Sequence, residues 1–316
     1  MPKPKNELRK DYIQEKYVII APRRSNRPHD TDICKKDHRR SASCVFCPEN
    51  LKKSDLVIKK YSFLKHNKFS LTSWDIAVLK NKFPAVTLDN PKAYGIQEVI
   101  VETPNHALEL EELSLEHIAK LLEVYAERTK IISQNKKIEY ILIFKNDGGV
   151  AGASLQHSHT QIFATDFLPP HLFDKSQRTQ AYKLENGTCV YCDVIKKETN
   201  GPRMIYKDKY IIAFCPWASI YNYEVWIMPL RHIDNIMFLN NNERKSFAKI
   251  LKKVLNKIGK LGLPYNYYFH QVTNDEDQHL YMKITPRGSV WAGVEIGSGI
   301  VINPIAPEDA AEYYRE

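Results

Sequence analysis

Residues 157–161 read "HSHTQ", placing two imidazoles and a carboxamide at alternating positions, His157, His159 and Gln161. On a strand, positions i, i+2 and i+4 share a face, so these three side chains can enter one cleft. An imidazole so placed can ligate a metal. Held rigid and neutral, it can instead attack phosphorus and carry a covalent phosphoryl group. Just upstream, "NDGGVAGASLQ" (146–156) holds three glycines whose backbone N–H groups can approach phosphate oxygens, and Ser154 adds a hydroxyl. Gln161 is suited to donate to a non-bridging oxygen as its charge grows in the transition state.

Four of the six cysteines form two Cys-x-x-Cys pairs, "CVFC" (Cys44, Cys47) and "CVYC" (Cys189, Cys192). Cys34 and Cys215 are left over, the latter reading as a small buried hydrophobe in "YIIAFCPW". Each pair is followed by histidines in matching order, His106 and His157 in the first half and His232 and His279 in the second. The separations are 51 and 47 residues. Two thiolates with two imidazoles make a closed tetrahedral set for zinc. The expectation is two structural zinc ions, bound by Cys44, Cys47, His106 and His157, and by Cys189, Cys192, His232 and His279. A closed site has no position for substrate, which leaves the chemistry to His159.

The elements that must hold these residues also repeat. After each cysteine pair come a strand candidate ("WDIAVLKNKFPAV", "KYIIAFCPWA"), an alternating strand ("QEVIVETPNH", "NYEVWIMPLRH") and one amphipathic helix. The helices carry apolar stripes at Leu115, Ile118, Leu121, Leu122 and Tyr125, and at Phe247, Ile250, Leu251, Val254 and Ile258. Ser114 is placed to cap the first helix. Two more strands close each unit, "YILIFKND" with "HSHTQIFA" and "YYFHQVTND" with "HLYMKITP". In the last of these the ligand position persists as His279, while His159 and Gln161 are replaced by Tyr281 and Lys283. The pattern predicts an α+β fold of two repeats, residues 1–170 and 171–316, with antiparallel sheets and helices packed on one side.

Composition sets the class. The chain of 316 residues is 43% hydrophobic and 11% aromatic, enough for a core and against disorder. The absence of an apolar run of ~18 residues predicts no membrane helix, and "MPKPKNELRKDY" lacks a secretory signal, so a cytoplasmic protein is expected. The net charge of +9 is scattered among acids, which suits a solvated surface or a cleft for a phosphorylated ligand. No nucleic-acid-binding motif is present and no nucleic-acid partner is expected. A non-enzymatic zinc protein that binds nucleotide or RNA through its basic surface is the contrasting class.

With "HSHTQ" and "NDGGVAGAS" in place, the chain resembles the galactose-1-phosphate uridylyltransferase branch of the histidine-triad superfamily. "LRKDYIQEKYVIIAPRRSNRP", "NKFPAV" and "ITPRGSVWAGVEIGSGIVINPIAPEDAAEYYRE" extend the resemblance over nearly the whole chain. It implies two histidine-triad-like repeats, a homodimer, and ping-pong transfer of a nucleotidyl group from a nucleotide sugar through His159. It further implies phosphate contacts from Arg24, Arg27, Asn146 and Ser154, base and ribose contacts from Asn81, Lys82 and Phe83, and a sugar contact from Glu295. The chain departs from the enterobacterial-type pattern in having Ala153-Ser154-Leu155-Gln156 instead of Cys-Ser-Asn-Pro before the His-x-His. It also lacks the lysine and tyrosine of the sugar-side stretch, reads "SVWAGVE" there, and has the second cysteine pair. These features are similar to the divergent subgroup that contains plant ADP-glucose phosphorylase. Two activities follow as expectations: hexose-1-phosphate uridylyl transfer, to which the breadth of the family leans, and nucleoside-diphosphosugar phosphorolysis by inorganic phosphate.

Overall fold

A computed structural model of the chain describes residues 6–22, 44–64, 72–273 and 275–316. Arg24, Arg27 and Cys34 lie outside the described residues. A hairpin of β1 (Glu7–Lys10) and β2 (Tyr17–Ile20) forms a small sheet with β13 (Val301–Asn303), which runs parallel to β2 and ties the two ends of the fold together.

The first half contributes α1 (Pro48–Leu51), β3 (Val57–Tyr61), β4 (Ile76–Lys80), β5 (Gly95–Val101), α2 (Leu115–Ser133), β6 (Tyr140–Asp147) and β7 (His159–Thr165). The connecting α3 (Pro170–Asn186) leads to α4 (Val190–Glu198), β8 (Met204–Lys207), β9 (Ile211–Phe214), β10 (Val225–Pro229), α5 (Asn241–Lys260), β11 (Tyr265–His270) and β12 (Tyr281–Pro286). Two short helices, α6 (Gly293–Ser298) and α7 (Pro307–Arg315), follow. The ten strands β3 to β12 make one antiparallel sheet in the order β3-β4-β5-β7-β6-β11-β12-β10-β9-β8. The order reads as the same five-strand unit from either edge, and the halves meet where β6 pairs with β11, Tyr268 opposite Phe144.

The two long helices lie against one face. Ile118, Leu121, Leu122 and Tyr125 of α2 and Phe247, Ile250, Leu251, Val254 and Ile258 of α5 are buried in a shared core. Leu115 departs from the expected stripe and is exposed. Helical side chains lean toward the N-terminus, so the first residue of α2 reaches past the packed interface. Ser114 caps α2 by accepting the His117 N–H at 3.1 Å. Cys215 is fully buried in the same core.

The opposite face is covered only in patches. The helix after each cysteine pair sits there, α1 placing Leu51 against Ala77, Leu79, Val99 and Val101. Likewise α4 places Tyr191, Val194 and Ile195 against Phe214, Trp226, Met228 and Tyr281. Among the described residues the sheet surface between these patches is left open, and the alternating residues of β7 and β12 face it. Among the described residues no helix is long and apolar enough to cross a membrane.

Candidate functional site

The strand β7 begins at His159, and its pairing sets the site: His159 lies opposite Val101 on β5, and Gln161 lies opposite Phe144 on β6. The expected split of the five residues is visible. Ser158 and Thr160 turn toward the helix face, where Thr160 meets Tyr125 at 2.6 Å, while His157 and His159 pack against Phe46 on the other side.

His159 is buried, and its Nδ1–H donates to the carbonyl oxygen of His157 at 2.8 Å. A carbonyl can only accept, so the neutral ring keeps its lone pair on Nε2. Burial, and then the nearby Lys145 ammonium, hold the imidazole below the ordinary histidine range, which keeps it neutral. The ring borders a cavity of about 240 Å³ that also takes in Asn146, Gly148, Gly149 and Ser154. Gly148 and Gly152 both have φ of 87°, a region open to glycine, and a Cβ on Gly148 would stand 2.9 Å from Pro264.

Beneath β7 lies a polar cluster that inspection of the sequence missed. Lys145 on β6 donates to Glu102 at 2.7 Å and to the Ser158 hydroxyl at 2.8 Å, and all three are almost fully buried. The hydroxyls of Ser158 and Thr160 also bond Glu102, the former at 2.6 Å. Burial raises the Glu102 carboxyl, but the Lys145 ammonium and the two hydroxyls outweigh it and bring the group below the usual carboxylate range. The pair therefore clamps the backbone on both sides of His159. One signal was available: a lysine that directly follows the apolar run "YILIF" on the same strand has to meet a partner if it is buried.

Gln161 has a second neighbour that was missed, Gln97 on β5, whose Nε2 donates to the Gln161 Oε1 at 3.4 Å. Gln97 in turn accepts the Ala85 N–H at 2.9 Å, and its carbonyl accepts the N–H of Asn81 at 3.0 Å. The segment Asn81, Lys82 and Phe83 is thereby anchored beside Gln161, with the Asn81 side chain accepting the Phe83 N–H and the Phe83 ring 83% exposed. Asn146 is held by Asn266, which donates to its Oδ1 at 2.8 Å, and Arg287 donates to Asn266 at 3.2 Å. Glu295 does not reach the cavity at His159. Its carboxylate accepts the N–H of Ala292 at 3.0 Å and that of Ile302 at 3.4 Å, closing the short helix α6.

The metal sets differ. Cys44, Cys47, His106 and His157 are all buried and bring one donor atom each within 4.8 Å of the others. His157 turns Nδ1 to the Cys44 sulfur at 3.5 Å and gives its Nε2–H to the Thr103 carbonyl at 2.7 Å. The Nδ1 of His106 stands 3.5 Å from the Cys47 sulfur. A tetrahedral zinc at about 2.0–2.3 Å from its ligands separates them by about 3.5 Å, so the set fits that ion.

In the second half Cys189, Cys192 and His232 converge, with the Cys192 sulfur 3.3 Å from the His232 Nδ1. His279, expected as the fourth member, does not join this group. Its Nδ1 is taken by the carbonyl of Leu280 at 3.0 Å, where His157 turns the same atom to sulfur. The His279 ring nevertheless stands 5.0 Å from that of His232, centroid to centroid, and its buried Nε2 has no hydrogen-bond partner among the described residues. An orphaned imidazole nitrogen beside two thiols and a second imidazole suits a metal ligand.

This geometry agrees with what the chain is similar to. The profile described as galactose-1-phosphate uridyl transferase, N-terminal domain, matches residues 3–169, and a domain of unknown function (DUF4921) matches residues 106–314. ADP-glucose phosphorylase of Arabidopsis thaliana is 30% identical over 334 residues, 98% of this chain and 92% of that one. Galactose-1-phosphate uridylyltransferase of Thermotoga maritima is 34% identical over 270 residues, 77% of this chain and 85% of that one. The crystal structure of the Arabidopsis thaliana ADP-glucose phosphorylase with bound ADP-glucose superposes with a TM-score of 0.85 at 30% identity, covering 99% of each chain. A uridylyltransferase structure gives 0.74 at 26% identity, covering 98% of this chain and 97% of that one.

Proposed function

The chain belongs to the galactose-1-phosphate uridylyltransferase family of nucleotidyl-transfer enzymes, and from that premise we propose that it moves a nucleoside monophosphate from a nucleotide sugar to a phosphate acceptor through His159. The observation that carries this reading is the bond from His159 Nδ1 to the His157 carbonyl, which commits the Nε2 lone pair to attack. Nε2 bonds to the α-phosphorus, the bond from that phosphorus to the bridging oxygen breaks, and the electron pair departs with hexose 1-phosphate. The His157 carbonyl steadies the positive charge that develops on the ring. An oxygen of the acceptor phosphate then attacks the same phosphorus and returns the electron pair to Nε2.

In this reading Gln161 donates to a non-bridging oxygen, and Asn146 and Ser154 line the phosphate path. Asn81, Lys82 and Phe83 receive the base and ribose, and Arg24 and Arg27 serve the phosphates, whereas the Glu295 carboxylate is committed to the N–H groups of Ala292 and Ile302 and is not assigned to the sugar. The fold divides near residue 170 into two histidine-triad-like repeats. The protein is a cytoplasmic homodimer with two structural zinc ions per chain, the second held by Cys189, Cys192, His232 and Nε2 of His279. Metal analysis and the solution mass test the last two statements directly.

We favour inorganic phosphate as acceptor and an adenine nucleotide sugar as donor. Support comes from likeness to the Arabidopsis thaliana phosphorylase along the whole chain and from its higher TM-score. The uridylyl-transfer reading is supported by the higher identity to the Thermotoga maritima enzyme. Protein mixed separately with ADP-glucose and UDP-glucose should gain an acid-labile nucleotide from the true donor. His159→Ala should gain none while keeping its zinc. Adding inorganic phosphate or galactose 1-phosphate to the isolated adduct identifies the acceptor by which one discharges it. If wild-type protein acquires no covalent nucleotide from either donor, the mechanism is wrong.

A further inference from the structure

The repeat places a counterpart of the His159 site on the second half of the sheet. Strand pairing makes the correspondence explicit: Phe144 opposite Gln161 on β6 and β7 becomes Tyr268 opposite Lys283 on β11 and β12. Val99 opposite Gln161 becomes Trp226 opposite Lys283. Counting along the strands, His159 becomes Tyr281 and Asn146 becomes His270. The nucleophile and its helper are gone, yet a cavity of about 200 Å³ remains over these residues.

Its chemistry is cationic and aromatic. Trp226 and Tyr281 stack at 4.4 Å with His270 stacked on Tyr281 at 4.6 Å, and Lys16, Lys175 and Lys283 line the same cavity. Among the described residues these three ammonium groups face Asp11 and Glu224, and Asp174 also acts on Lys16. Glu224 is already engaged, holding Lys283 at 2.7 Å, the Trp226 indole N–H at 3.0 Å and the backbone N–H of Ile220 at 2.9 Å. One oxygen of Asp11 accepts the N–H groups of Ile13 and Gln14.

Lys175 is the anomaly. It is 7% exposed, its one hydrogen bond among the described residues is to the hydroxyl of Tyr281 at 2.5 Å, and no described carboxylate forms an ion pair with it. A buried ammonium without a counter-ion is costly, and a protein that keeps one at the wall of a cavity gains by admitting an anion. Burial pushes its pKa down to about 7, and the carboxylate of Asp11 opposes that shift without cancelling it. The glycine loop that serves the first half is absent here, so recognition rests on side-chain cations and ring faces.

We propose that this cavity is a second, non-catalytic site for a small phosphate-bearing ligand, with the phosphate between Lys16 and Lys175 and any organic body toward Tyr221 and Trp291, which stack on each other at 5.8 Å. The volume accommodates a free phosphate or a compact phosphate monoester. This inference rests on the cavity alone and stands whether or not His159 carries nucleotide.

The test is calorimetric titration of the full-length protein with inorganic phosphate, glucose 1-phosphate and AMP, at matched ionic strength in chloride. Wild type, Lys175→Met and Lys16→Ala are compared, with nucleotide-adduct formation at His159 measured in each. Lys175→Met removes the buried charge at similar length. Lys16 lies at the exposed rim, so its variant carries the test should the first fail to fold. The expected result is a binding component that weakens by roughly tenfold or more in both variants, about the contribution of one charge-assisted hydrogen bond, with adduct formation unchanged. Equal binding of all three probes assigns the site to free phosphate, whereas tighter binding of an ester assigns it to a phosphorylated metabolite. Binding that is identical in the three proteins, or no binding of any probe at millimolar concentration, overturns the proposal.

Discussion

His157 serves two neighbours at once: its Nδ1 stands 3.5 Å from the Cys44 sulfur, and its carbonyl oxygen lies 2.8 Å from Nδ1 of His159. The cysteine cluster therefore sets the backbone position of the group that orients the His159 ring. Stripping metal with a strong chelator should abolish adduct formation and lower stability together. A loss of several kcal/mol corresponds to a fall in Tm of roughly 10 °C for a chain of this size. Calorimetry and adduct trapping on the same samples check the coupling; full activity after complete metal removal would show that the cluster does not position His159.

The Glu102–Lys145 pair makes a separate prediction. Lys145→Met leaves a carboxylate buried and unpaired and should cost about 3–5 kcal/mol in denaturant unfolding. Replacing both partners with apolar residues, Lys145→Met with Glu102→Leu, should recover much of that loss.

The same pair has a pH signature. The folded-state pKa of Glu102 is lowered, so its contribution to stability is present above the ordinary carboxylate range and is lost as pH falls through the lowered value. Lys145 is raised, so its contribution is intact below the ordinary lysine pKa and fades only in strong base. Unfolding free energies measured from neutral to acid pH should fall less steeply in Glu102→Gln than in wild type. Parallel acid limbs would remove the pair from the account.

Gln161→Ala should reduce kcat by about 10²-fold or more if its amide meets the developing oxyanion, with KM changed much less. Gln97→Ala acts through Gln161 and should give a smaller loss in the same parameter. Steady-state kinetics separate the two cases, and an effect of Gln97→Ala confined to KM would place that residue on ground-state binding instead.

Gly95 opens β5 where the strand meets β7, and a Cβ there would fall 2.2 Å from the carbonyl oxygen of Ala164. Gly95→Ala must displace backbone and should destabilise the protein by about 1–3 kcal/mol or more. A Tm equal to wild type would mean that the β5–β7 contact relaxes freely.

The features legible in the sequence were those whose signal is local. Helical stripes in α2 and α5, the Cys-x-x-Cys turns and the alternation of His157, His159 and Gln161 follow from spacing along the chain. Glu102 and Lys145 stand 43 residues apart and become partners only through the pairing of β5, β7 and β6, which no local pattern states. His279 shows the opposite limit. Its position in the repeat matched His157, but the carbonyl of Leu280 captures its Nδ1, and ring orientation is decided by neighbouring atoms rather than by register. Arg287 and Asn266, behind Asn146, were hidden for the same reason as Glu102, since they reach it across the joint between the halves.

That joint, the pairing of β6 with β11, lies on an approximate two-fold axis. A half-length ancestor would have had one bare sheet edge at that place, and two copies meeting there would rebuild the ten-stranded sheet with two identical catalytic clefts. A single chain that carries both halves is under no such constraint, because its second cleft need not mirror the first. His159 could stay fixed while its counterpart became Tyr281. The single chain thus departs from a symmetry that a dimer of identical half-length chains would be obliged to keep.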